Sequence, residues 1–226
     1  MRAVLFVVLL SLLVVSASAP VRGQTPTPTP VPREDIQSWN EIIINVAIDE
    51  KVDLVFNGTL RASLDVADRP VEERAIVGIA FKVGKYLTVT PTYMATFFQP
   101  VNGQSFTEHR PLVDATLQIP VGKFRFINRN RLEHRFTRPV DATRYRNRLQ
   151  IDHPIKIGDF EMRVFIADEV FYDTFWDRWT INRISAGVTK TFNDQFTADL
   201  FYLRQNNSFV RPGNIHVIGL TLKLRM

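Results

Sequence analysis

The chain contains no cysteine. A disulfide scaffold, a thiolate metal site, a cysteine nucleophile and a lipid-anchored cysteine are therefore all excluded. Histidine is scarce, with only His109, His134, His153 and His216. No GxSxG, no HExxH, no metal-spaced histidine pair, no glycine-rich phosphate loop and no calcium loop occurs. No catalytic residue, metal or cofactor is assigned on these grounds. Beyond residue 36 no run of ten residues carries the helical period. A strong charge excess is missing too. Of 28 lysines and arginines, Arg2 and Arg22 fall in an N-terminal leader, and the rest barely exceed the 23 acidic residues. Glu133, Asp141 and Asp152 sit among the densest arginines, whereas a nucleic-acid interface needs a basic patch free of acids. Nucleic acid is not an expected partner.

What is present starts with a leader. Arg2, the apolar run AVLFVVLLSLLVV and the small residues SASA read as a signal peptide over residues 1–23, with the apolar run too short for a spanning helix. QTPTPTPVP follows, and residues 24–35 read as an extended Pro/Thr-rich disordered spacer. Residues 36–226 read as one all-β domain.

Within that domain the period is two. Val52, Leu54, Phe56, Leu60 and Leu64 share one phase, and Asp53, Asn57, Thr59, Arg61 and Ser63 the other. Ile218, Leu220, Leu222, Leu224 and Met226 likewise oppose Thr221, Lys223 and Arg225. Short turns near Asp49, Gly84, Gly122, Gly158 and Asn193 alternate with longer polar loops. The expected fold is an antiparallel up-and-down transmembrane β-barrel of about 10–12 strands. The pattern itself counts about eleven, against the even numbers usual in single-chain bacterial barrels.

Three features point the apolar phase outward, toward lipid. The strands are long enough for a tilted crossing. Turns are short at one end and loops long at the other. Aromatics collect at both strand ends, with Tyr86, Phe124 and Phe196 beside the short turns and Tyr172, Trp176 and Trp179 beside the long loops; these are expected interface residues. The stretch FRFINRNRLEHRFTRPVDATRYRNRLQ then makes sense. Arg129, Arg131, Glu133 and Arg135 share one phase, as do Arg144, Arg146, Arg148 and Asp152 on the next strand. An arginine facing lipid at the midplane costs ~2–4 kcal/mol, so this charge ladder is expected in the lumen. Asp114, Glu133, Asp152, Glu161 and Glu169 are its expected partners. The ladder can tie strands together, form an anion path or seat a ligand. Asn128, Asn130, His134 and Asp168 fall in the outward phase, which anticipates a bulge or a level above the hydrocarbon.

The segments SWNEIIINV, VGKYLTVTPTY, RYRNRLQIDHPIKIG, DEVFYD, RWTINRISAGVTKTFN, FYLRQNN and HVIGLTLKLRM together resemble the bacterial family termed domain of unknown function 2490. The likeness runs from about Ile36 to Met226 and implies membership of the outer-membrane β-barrel superfamily, with no activity or ligand attached. It departs at Met226, where such barrels commonly end in an aromatic residue.

The expectation is therefore a protein of the bacterial cell outer membrane with an Arg-rich polar lumen, structural or forming a narrow anion-preferring pore. Its expected partners are outer-membrane lipid, lipopolysaccharide and the barrel-assembly machinery. Two other readings stay open. One is an outer-membrane enzyme with a rim site, for which Ser105, Glu108 and His109 are the nearest thing to a triad. The other is a soluble periplasmic barrel of lipocalin type, with its apolar phase inside.

Overall fold

A computed structural model describes residues 31–101, 103–136, 140–207 and 209–226. The signal-peptide reading, most of the Pro/Thr spacer and part of the loop after Phe136 fall outside these residues. The described chain is all β, and it closes into a barrel. Its strands are β1 (Glu34–Ala47), β2 (Val52–Ser63), β3 (Arg69–Val83), β4 (Leu87–Phe98), β5 (Phe106–Val121) and β6 (Phe124–Arg135). They continue with β7 (Ala142–Ile157), β8 (Phe160–Asp173), β9 (Arg178–Thr191), β10 (Phe196–Asn207) and β11 (Asn214–Arg225). β1 starts at Glu34, two residues before the alternation becomes legible in the sequence.

Each strand pairs antiparallel with the next, and the seam between β1 and β11 is parallel. This follows from the count. With eleven strands the first and last run the same way, so a barrel that closes must close in parallel. The sequence expectation of a purely antiparallel meander is corrected at this one seam. Its register runs from Glu34 opposite Asn214 to Asn45 opposite Arg225. Met226 finishes it, donating its N–H to the Asn45 carbonyl at 2.9 Å and accepting from Ala47 at 2.8 Å. β1 thus enters at the long-loop end, while β11 leaves at the short-turn end.

The strands are 12 to 16 residues long, or roughly 40–50 Å at ~3.3 Å per residue. Two hairpins are as tight as chain geometry allows. Gly122 and Gly158 each open a two-residue connection with φ of 60°, the left-handed conformation such turns require and glycine adopts freely. The longer connections are shorter than the sequence suggests, because the strands extend into them. Pro70 lies in β3, and only residues 174–177 join β8 to β9.

Alternation sends the apolar phase outward. Ile166, Ile184, Ile218 and Leu200 are among the most exposed large side chains, at 62, 61, 56 and 54%. The inward phase is polar and crowded. Asp35, Glu108, Glu133, Asp152 and Asp173 are essentially inaccessible. One wall of the interior is apolar: Trp39, Leu203, Ile215 and Val217 cluster across β1, β10 and β11, with Phe201 packed against them.

Candidate functional site

The charge ladder of β6 and β7 is half of a larger construction. Glu133, with no accessible surface, lies 3.8 Å from the guanidinium groups of Arg110, Arg144 and Arg146. Arg135 binds Glu108 through Nε at 3.1 Å and Nη2 at 2.9 Å, and also Asp173 at 3.1 Å. Arg144 makes two bonds to Asp173, at 3.0 and 2.7 Å. Glu169 collects Arg129 at 2.7 Å, Arg146 at 2.8 Å and Arg183 at 3.4 Å. Arg129 and Arg135 reach carboxylates on β8, so these pairs clamp β6 to β8 across the inner face of β7. Arg131 meets Asp114 through two parallel bonds at 2.8 and 2.7 Å, the forked geometry that arginine provides and lysine does not.

The rest of the ladder lies nearer the short-turn end. Arg148 donates to Gln150 at 2.8 Å, and Gln150 donates to Asp152 at 2.9 Å. Asp152 also accepts from Arg125 Nε at 2.9 Å and has Arg163 at 3.6 Å. Glu161, an expected ladder partner, instead pairs with Lys156 at the rim, where both are well exposed. The cause is position: Glu161 is the second residue of β8 and lies below the packed lumen.

Several members of the site give no local signal in the sequence. Arg61 from β2, Arg110 from β5 and Arg183 from β9 join the β6–β7 arginines around a cavity of about 280 Å3 in the long-loop half of the lumen. Arg74, Arg135, Arg144 and Arg146 complete its basic lining, and Glu72 is the one carboxylate that lines it among the described residues. Two aromatic rings organise the cations. Arg61 and Arg183 lie 3.6 and 4.9 Å from the centroid of Trp39. Arg146 and Arg183 lie 4.4 and 4.6 Å from that of Phe171. Stacking a guanidinium on an aromatic face offsets part of the cost of removing it from water. The indole N–H of Trp39 donates to Gln37 at 2.7 Å, and Gln37 donates to Asp35 at 2.7 Å.

The expected interface aromatics all lie at strand ends or in connections. Tyr86, Trp176 and Trp179 are exposed, as is Phe124, which packs on His153 at 4.7 Å. Phe196 stacks on Phe192 at 5.2 Å. Tyr172 donates its hydroxyl to Asp177 and meets Trp179 edge-on at 5.6 Å. Trp176 stacks on Phe209 at 5.2 Å, joining the β8–β9 and β10–β11 connections.

Geometry removes one of the two accounts of the outward polar residues of β6. No bulge re-aims Asn128 and Asn130, because the β5–β6 and β6–β7 registers run without a shift. Both face outward and satisfy their amides locally. Asn130 donates to Asn128 at 2.7 Å, Tyr145 to Asn130 at 2.6 Å, and Asn147 to Asn130 at 2.9 Å. His134 similarly lies 3.2 Å from the Thr143 hydroxyl, and Asp168 accepts from Asn182 at 2.7 Å. The residues of the rival triad reading are not brought together either. Glu108 and His109 are neighbours on β5, so alternation sends them to opposite faces. Glu108 is buried against Arg110 and Arg135, while His109 meets the Tyr93 hydroxyl at 2.8 Å on the outside.

No curated protein is matched by the chain. A family model, described as protein of unknown function (DUF2490), matches residues 36–214. That match spans β1 to the start of β11 and includes every arginine of the chamber. This eleven-stranded barrel, with its arginine-lined interior, belongs to the DUF2490 family.

Proposed function

We propose that the chain is a bacterial outer-membrane β-barrel with a polar, anion-preferring lumen and no catalytic role. One observation carries this reading: large apolar side chains are exposed all around the barrel while charged ones are buried inside it. Water disfavours such an arrangement and lipid favours it. A strand length that exceeds the hydrocarbon thickness when tilted, and aromatics at both levels, support it further. A lipocalin-like role needs an apolar interior cavity, and the cavity in the long-loop half of the lumen is lined by arginines.

The long-loop half of the lumen is packed with side chains, notably Trp39, Met94, Arg110 and Phe171. That packing favours a barrel of low conductance, and the arginine excess favours anions in whatever passes. In this reading the outer face contacts lipid and lipopolysaccharide, and insertion depends on the barrel-assembly machinery. The test is fractionation of a Gram-negative host expressing the full chain, with gels run with and without boiling. An outer-membrane band that shifts on heating is expected. A soluble band without a shift overturns the reading, as does a reconstituted barrel that selects cations.

A further inference from the structure

We infer that the arginine chamber is a seat for a small phosphate-bearing anion. This deepens the anion-preferring lumen proposed above and rests on the same interior. The argument begins with charge. In the packed part of the lumen, carboxylates Glu72, Glu108, Asp114, Glu133, Glu169 and Asp173 each have arginine partners. Arginines nonetheless outnumber them, because Arg110, Arg135, Arg144 and Arg146 each share their carboxylates with others. The surplus is not spread evenly. Seven arginines line the cavity against five carboxylates that pair with them, Glu72, Glu108, Glu133, Glu169 and Asp173, and of these Glu72 is the one that lines it among the described residues.

Second, the cations there are brought together and not kept apart. Arg61 and Arg183 share the Trp39 ring yet pair with different carboxylates, Glu72 and Glu169. Like charges so placed in a low-dielectric interior repel, and an anion between them reverses the sign of that interaction. Third, a donor is free. Arg61 Nε is buried and has no hydrogen-bond partner, although Nη1 of the same group binds Glu72 at 3.2 Å.

The shape narrows the ligand. About 280 Å3 lies at the small end of ligand pockets, which suits a compact anion. Several planar forks arriving from different strands match a group that offers many oxygens in a tetrahedron, which is the geometry of phosphate. Free phosphate, a phosphomonoester and a lipid phosphate headgroup share that chemistry.

The experiment titrates the full chain, purified from whichever fraction holds it, by calorimetry at low salt. The probes are inorganic phosphate, glycerol phosphate and a short-chain phosphatidic acid. Saturable binding of at least one is expected, and which one binds identifies the source. Arg61→Gln and Arg183→Gln should each weaken it at least tenfold. Lys156→Gln, at the exposed rim, should change it less than twofold. If one glutamine variant fails to fold, the other carries the comparison. Absence of binding for all three probes, on protein with native circular dichroism, overturns the inference. So does unaltered affinity in a folded Arg61→Gln or Arg183→Gln protein. Failure of the membrane reading is distinguishable: soluble protein that binds phosphate keeps the seat and loses the membrane. A heat-modifiable outer-membrane barrel that binds none does the reverse.

Discussion

The guanidinium of Arg61 lies 3.6 Å above the ring of Trp39, so a buried cation rests on a buried indole. Trp39 also carries Arg183 and belongs to the apolar wall with Leu203 and Val217. It therefore joins the two halves of the interior. Trp39→Ala should destabilise the barrel by about 3–5 kcal/mol, the usual loss for a large buried aromatic. A lowered urea midpoint of the detergent-solubilised barrel would register it; an unchanged midpoint would contradict the packing described.

Glu169 holds Arg129, Arg146 and Arg183, and removing it leaves two buried guanidinium groups and the half-buried one of Arg129 short of a partner. Glu169→Ala should cost about 3–5 kcal/mol. Glu161→Ala, which breaks the exposed pair with Lys156, should leave the midpoint where it was. Equal effects of the two substitutions would mean that the interior pairs are as well hydrated as the rim.

Phe201 stands in register between Gly187 on β9 and Gly219 on β11. A Cβ at Gly219 would come 2.1 Å from Phe201 Cζ, and one at Gly187 would come 2.6 Å from Phe201 Cβ. Gly219→Val should cost about 1–3 kcal/mol through overpacking. Adding Phe201→Leu should recover part of the loss. A double variant no better than the single one would show that the ring is not what the glycine accommodates.

Ile166 projects from the outer face of β8 at 62% exposure. In lipid, Ile166→Arg should destabilise by about 2–4 kcal/mol. For a barrel in water the same change should stay within about 0.5 kcal/mol. Unfolding from liposomes separates the two.

Because the chain has no cysteine, single cysteines report sidedness cleanly. The antiparallel β1–β2 hairpin puts Glu34 at the same end as the loop containing Asp65, and Asp159 at the opposite end. With an impermeant maleimide on intact cells, Glu34→Cys and Asp65→Cys should label alike and Asp159→Cys differently. Glu34→Cys labelling with Asp159→Cys would contradict the antiparallel pairing of β1 with β2.

Period-two alternation was enough to read the strands, the two faces and the turns, because each strand records in its own residues which side is buried. Arg129, Arg131, Arg144 and Arg146 could be grouped for the same reason: phase within two adjacent strands is local information. Closure is not local. Nothing in β1 or β11 taken alone says that they meet, or that an odd count makes their seam parallel. The chamber depends on that closure. Arg61, Arg110 and Arg183 are isolated basic residues along the chain, and only the stagger of eleven strands brings them to one level around Trp39 and Phe171. The sequence determined which side chains point inward; the tertiary structure decided which of them meet, because distance across a barrel is set by register summed over every strand between.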